Sequence, residues 1–105
     1  MTNLEMVAAE LDAAKKKHPK FVDRFTHWSK TETRDTLQRC REVLRGHKVE
    51  KSVEPIHVLQ CELAEAYDAY AHGDLAHARQ ELAQCAAVCI RAMEYVQNEM
   101  EKTKC

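Results

Sequence analysis

Glycine and proline are scarce in this sequence, with two of each among 105 residues. A glycine-rich loop folded around a phosphate therefore cannot be built from it. Long apolar runs are missing as well. No stretch approaches the roughly 18 apolar residues that signal a membrane span, so no membrane partner is expected. Neither sign of charge dominates, since 16 Lys and Arg stand against 17 Asp and Glu for a net charge of -1. Without a sustained basic block, attraction to a nucleic-acid polymer by net charge is not expected either. The N-terminal MTNLEMVAAELDAAKKK places acidic residues inside its apolar portion and its basic run afterwards, the reverse of a secretion signal. An even set of cysteines is also lacking. There are five, and Cys40, Cys61, Cys85 and Cys89 fall inside helical patterns, which points to reduced thiols in a cytoplasmic protein rather than a disulfide framework.

What remains is rich in Ala, Leu, Glu, Lys and Arg, all strong helix formers. The expected fold class is all-α. A chain of this length is expected to make one domain, residues 1–105, and to bury only about 60 to 70% of its unfolded surface. So thin a core favours oligomerisation, as a homodimer or homotetramer.

Four helices are expected. Thr2 and Glu5 can form a capping box ahead of Leu4, Val7, Ala8, Leu11 and Ala14, giving a helix over about 3–17 that ends at His18-Pro19. The segment KFVDRFTHW carries Phe21, Val22, Phe25 and Trp28 and is expected to lie against the core. Ser29 or Thr31 caps a second helix over about 31–46, with Leu37, Cys40, Val43 and Leu44 on one stripe and Gly46 as its stop. Pro55 suits the first turn of a third helix over about 54–71, whose apolar face is Ile56, Leu59, Leu63, Ala66, Tyr67 and Tyr70. After His72-Gly73, Asp74 caps a fourth over about 74–102, with Ala78, Leu82, Cys85, Cys89, Met93, Val96 and Met100 inward. The short loop makes the last two helices a central antiparallel hairpin. Cys105, at the end of a tail expected to fray, is read as exposed.

Two glutamates break the hairpin's apolar arcs. At about 100° per residue, Val58, Ala69, Glu62, Ala66, Leu59 and Leu63 share one arc of the third helix, with Glu65 on its rim. On the fourth, Val88, Glu81, Ala92, Cys85, Ala78 and Leu82 do the same, with Gln84 on the rim. The two pairs lie about equally far from His72-Gly73, so at about 1.5 Å per residue they sit at one level. Carboxylates crowded into a partly apolar site must be protonated, paired or bound to a cation. A small hard cation such as Mg²⁺ takes oxygen ligands and suits carboxylates at i and i+3 on facing helices. Taken one at a time, the same glutamates also fit the edge of an apolar stripe, reaching out to water.

"CELAE" at 61–65 and "ELAQ" at 81–84 resemble the motif of the MazG-like all-α nucleotide pyrophosphohydrolases. That motif has two adjacent glutamates, a third three positions on, a spacer of somewhat more than a dozen residues, then glutamate, two residues and aspartate. The likeness is best over residues 56–97, and "ELDAAKKKHPKF" is similar to the first helix of small phage or bacterial members. Cys61 stands in place of the first glutamate and Gln84 in place of the aspartate. The resemblance implies a four-helix MazG-like bundle and hydrolysis of a nucleoside triphosphate to a monophosphate and pyrophosphate. It implies Mg²⁺, with Mn²⁺ as a possible substitute. Glu62, Glu65 and Glu81 would then be catalytic metal ligands, with Gln84 a weaker one lending a carbonyl oxygen. Lys15, Lys16, Lys17 and Arg79 are candidates for phosphate contacts, and Trp28 for stacking on a base, against the plainer roles of solvated charge and core packing. A relative that keeps the fold for nucleotide or metal binding or assembly, without turnover, is the alternative, and an unrelated helical adaptor is a third.

Two other patterns are weaker. His57 and Cys61, and Cys85 and Cys89, are each four apart and supply the ligand types of a zinc site. The wheel, however, directs the first pair away from the second, and buried free cysteines behave as small hydrophobes. His18, His27, His47, His72 and His77 are scattered and are assigned no chemistry.

Overall fold

The computed structural model describes residues 1–103. These form four α-helices: α1 (Asn3–Lys17), α2 (Lys30–Glu50), α3 (Pro55–Ala71) and α4 (Leu75–Thr103). No strand occurs among the described residues, as expected for an all-α chain. No helix among them is long and apolar enough to cross a membrane. Cys105 lies outside the described residues. The chain divides into two compact units, Met1–Phe25 with the segment from Ile90 onward, and Thr26–Cys89.

In the first unit, Thr2 caps α1 with the expected box. Its Oγ1 accepts the Glu5 backbone N–H at 3.1 Å, and Glu5 Oε1 accepts the Thr2 N–H at 2.9 Å. The backbone bond to Thr2 holds the Glu5 carboxyl below its ordinary value. Asn3 Nδ2 donates to Gln97 Oε1 at 3.3 Å, joining α1 to the later part of α4. No residue of α1 is buried. The expectation that Phe21 and Val22 pack on a core is therefore corrected: Phe21 is 91% exposed, because this unit supplies no buried side chain for it to meet.

The second unit holds the core. Ser29 caps α2 through the same reciprocal box with Glu32. The helix does not stop at Gly46 but runs to Glu50. One glycine inside a helix costs only about 1 kcal/mol relative to alanine, and the residues after it offer no competing turn. The stop is Lys51, in the left-handed region at φ 55°, where Ser52 N–H bonds His47 O at 2.9 Å and Lys51 N–H bonds Lys48 O at 3.3 Å. That pair of bonds is a Schellman closure built on lysine instead of glycine. Pro55 opens α3, and the His57 ring accepts the Glu54 N–H through Nδ1 at 2.9 Å, serving as a capping side chain.

Small residues make the buried faces. Thr33 and Leu37 of α2, Cys61, Ala64, Ala66 and Ala69 of α3, and Ala78, Glu81 and Cys85 of α4 are all buried. Thr33, completely enclosed, places its hydroxyl 3.0 Å from Asp68 Oδ1 on α3. Most of the large apolar residues expected inward are outside: Val43, Ile56, Leu63, Tyr70, Leu82, Val96 and Met100 are exposed, as is Cys89. Leu63 lies about 160° around α3 from Cys61, so burial of the alanine and cysteine face leaves the leucine face uncovered.

Candidate metal centre

The turn between α3 and α4 sets the register of the acidic residues. Gly73, at φ 81°, takes the left-handed position. Asp74 N–H bonds Ala69 O at 2.9 Å, and Gly73 N–H bonds Tyr70 O at 3.0 Å, closing α3. Asp74 also opens α4, its Oδ1 accepting the His77 N–H at 3.1 Å. Counting outward from Gly73, Glu65 and Glu81 are both eight residues away, and Glu62 and Gln84 are both eleven. Antiparallel helices with equal rise bring each pair to one level.

The side chains follow that register. One oxygen from each of Glu62, Glu65 and Glu81 lies within 4.8 Å of the other two. Among the described residues this is the one group of three or more His, Cys, Asp or Glu so placed. Glu81 is only 6% exposed, while Glu62 and Glu65 are half-buried. With its amide nitrogen turned towards the carboxylates, Gln84 donates to Glu62 Oε2 at 2.6 Å and to Glu81 Oε2 at 3.2 Å. His77 Nε2 lies 3.0 Å from Glu81 Oε1, and Arg41 Nη2 of α2 lies 3.3 Å from Glu65 Oε1.

Burial, followed by hydrogen bonds to Glu62 and Glu65, pushes the Glu81 carboxyl up to about 7, and the charge on Glu65 adds to the rise. The contact with His77 opposes it in part. Between about pH 4.5 and 7 the cluster thus holds a proton that an isolated carboxylate would have released. A divalent cation would take the place of that proton. Mg²⁺ binds oxygens at about 2.0 to 2.1 Å, so ligand oxygens on one ion are separated by about 3 to 4 Å, and the observed spacing approaches this. The donor set fits a small hard cation.

The other sites expected from sequence are distributed differently. Lys15, Lys16 and Lys17 belong to the first unit and Lys16 pairs with Asp12 at 3.1 Å, whereas the acidic cluster is built wholly within the second. Arg79 is exposed and about 160° around α4 from Glu81. Trp28 leans on Tyr67 of α3, ring centroids 5.5 Å apart and inclined at 53°, and is 37% exposed. Cys40, Cys61, Cys85 and Cys89 are free thiols. Burial pushes Cys61 and Cys85 up, away from the reactive thiolate. No group formed by His57, Cys61, Cys85 and Cys89 converges on a metal position. Sequence reasoning missed His77 and Arg41. The first had a signal, four residues ahead of Glu81 on one helix face; the second, 24 residues before Glu65, had none.

No protein-family model matches this chain, and neither does any curated protein or solved structure.

Proposed function

We propose that this protein is a divalent-cation-dependent hydrolase of nucleoside triphosphates, of the MazG-like kind, releasing a monophosphate and pyrophosphate. The observation that carries the reading is the convergence of Glu62, Glu65 and Glu81 within 4.8 Å across the α3–α4 hairpin. These three side chains would hold Mg²⁺, or Mn²⁺ in its place, with Gln84 contributing its carbonyl oxygen after its amide turns over. The bound cation supplies charge that offsets the phosphates and favours ionisation of an attacking water. His77 would hold Glu81 in place, and Arg41 would leave Glu65 as the cation arrives. A cytoplasmic setting accords with the free thiols. The exposed Leu63 and Leu82 support assembly as a homodimer or homotetramer, in which a second copy covers the leucine faces.

One observation favours a second reading, a relative that retains the fold for binding or assembly without turnover. Gln84 and His77 already satisfy the carboxylates of Glu62 and Glu81 without a cation, and no buried side-chain polar atom among the described residues lacks a partner. The two readings separate in one assay. Incubation with a panel of canonical and modified nucleoside triphosphates plus Mg²⁺ or Mn²⁺, following pyrophosphate and monophosphate, should give turnover that Glu62→Gln abolishes. Absence of turnover on every substrate, with Mg²⁺ affinity the same in wild type and Glu62→Gln, rejects both turnover and the metal site. Turnover gained only in Gln84→Asp establishes the second reading.

A further inference from the structure

Beside the acidic cluster, α2 carries an arginine row whose chemistry complements it. Arg34, Arg41 and Arg45 fall within about 40° of one another around the helix axis. Arg34 and Arg41 line a cleft of about 340 Å³ together with Glu65, His72 and His77. A neighbouring cleft of about 400 Å³ shares those two arginines and adds Arg45. The wall of the first cleft thus includes one member of the acidic cluster and the histidine that holds another.

The acids of this cleft are already engaged. Asp68 Oδ1 faces the Thr33 hydroxyl at 3.0 Å and His72 Nδ1 at 3.4 Å. Asp74 caps α4 through His77 N–H. The arginines have capacity left. Arg34 uses one Nη2 contact, to His72 Nε2 at 2.9 Å. Because arginine only donates, His72 accepts there and donates from Nδ1 to Asp68 O at 2.8 Å, which fixes the ring beneath the guanidinium. Arg41 uses one contact, to Glu65. A guanidinium presents five N–H donors in a planar fork matched to phosphate oxygens, so most donors of both residues remain for a ligand.

We infer that Arg34 and Arg41, with Arg45 at the margin, form a binding site for the polyphosphate of the substrate, adjoining the cation at Glu65. The assignment rests on the function proposed above for its substrate, but its geometry does not require the metal. Arg41 links the two sites. Without a cation it neutralises Glu65; a divalent ion on Glu65 repels the guanidinium and frees it for phosphate. Cation and polyphosphate therefore favour each other's binding.

Inorganic pyrophosphate is the probe, titrated calorimetrically into the full chain in EDTA and in Mg²⁺. Wild type should bind it in both, more tightly with Mg²⁺. Arg34→Gln and Arg41→Gln should each weaken binding about tenfold or more, the loss of one charge-assisted contact, and Arg41→Lys should recover only part because it cannot form the fork. Binding of Mg²⁺ alone should be undiminished in Arg41→Gln. Circular dichroism should show that the folds are retained, as both side chains are exposed. Pyrophosphate affinity within twofold of wild type in both glutamine variants overturns the site, as does failure of wild type to bind pyrophosphate in either condition. Loss of pyrophosphate binding in the variants with no Mg²⁺ binding in wild type upholds the arginine site and removes the metal.

Discussion

Glu81→Gln should have an effect on stability that grows from nothing as pH rises. Glu81 is buried, and its carboxyl is raised from 4.5 to about 7. The folded protein therefore binds this proton more tightly than the unfolded chain does. Below pH 4.5 the proton is on in both states and the group's full contribution is present. Between 4.5 and about 7 the unfolded chain has released the proton and the folded protein has not, so stability falls as pH rises. Above about 7 both states are ionised and the loss is complete. Over that window it amounts to roughly 3 kcal/mol. Glutamine keeps the hydrogen-bonding shape of the protonated acid and does not titrate. Urea unfolding followed by far-UV circular dichroism, in EDTA, should find the two proteins similar near pH 4.5 and the variant more stable by roughly 3 kcal/mol at about pH 8. Parallel pH profiles would refute the claim that Glu81 holds a buried proton. Adding Mg²⁺ at the higher pH should narrow the gap by stabilising wild type alone.

Other perturbations test separate parts of the structure. Mg²⁺ at about a hundredfold over its dissociation constant should stabilise wild type by about 2.7 kcal/mol, read as a raised melting temperature, with no rise in Glu62→Gln. Gly73→Ala forces a side chain into positive φ and should cost roughly 1 to 2 kcal/mol. Gly46→Ala, inside α2 with nothing within 4 Å of the added Cβ, should stabilise by about 0.5 to 1 kcal/mol; denaturant midpoints decide both. Thr33→Val keeps the volume but removes the hydroxyl facing Asp68, and should cost about 1 to 3 kcal/mol in urea unfolding.

Local chemistry was legible in the sequence. The Thr2 and Ser29 caps, Pro55 and the His72-Gly73 break each act over a few residues, and the helices begin or end close to them. Gly46 misled because glycine only weakens a helix, whereas the stop at Lys51 needs a left-handed lysine, for which the sequence carries no mark. The buried face of α3 was misplaced because hydrophobicity ranks Leu63 above Ala64, while close packing of α2 on α3 selects the smaller side chain. The level of Glu62, Glu65, Glu81 and Gln84 could be read by counting from Gly73, since helical rise is constant. Arg41 meeting Glu65 could not, because it depends on how α2 lies against α3.

Asp74 ends one helix and begins the next, so the α3–α4 turn contains no spare residue. A residue inserted in α4 between Asp74 and Glu81 would carry Glu81 and Gln84 about 1.5 Å further from the turn and rotate them by about 100°, taking them off the level of their partners while leaving every side chain in the cluster intact. The cluster is therefore more sensitive to the length of this hairpin than to a substitution at any one of its positions. Relatives of this chain should be sought by the fixed interval between Glu65 and Glu81 sooner than by the identity of the residues around them.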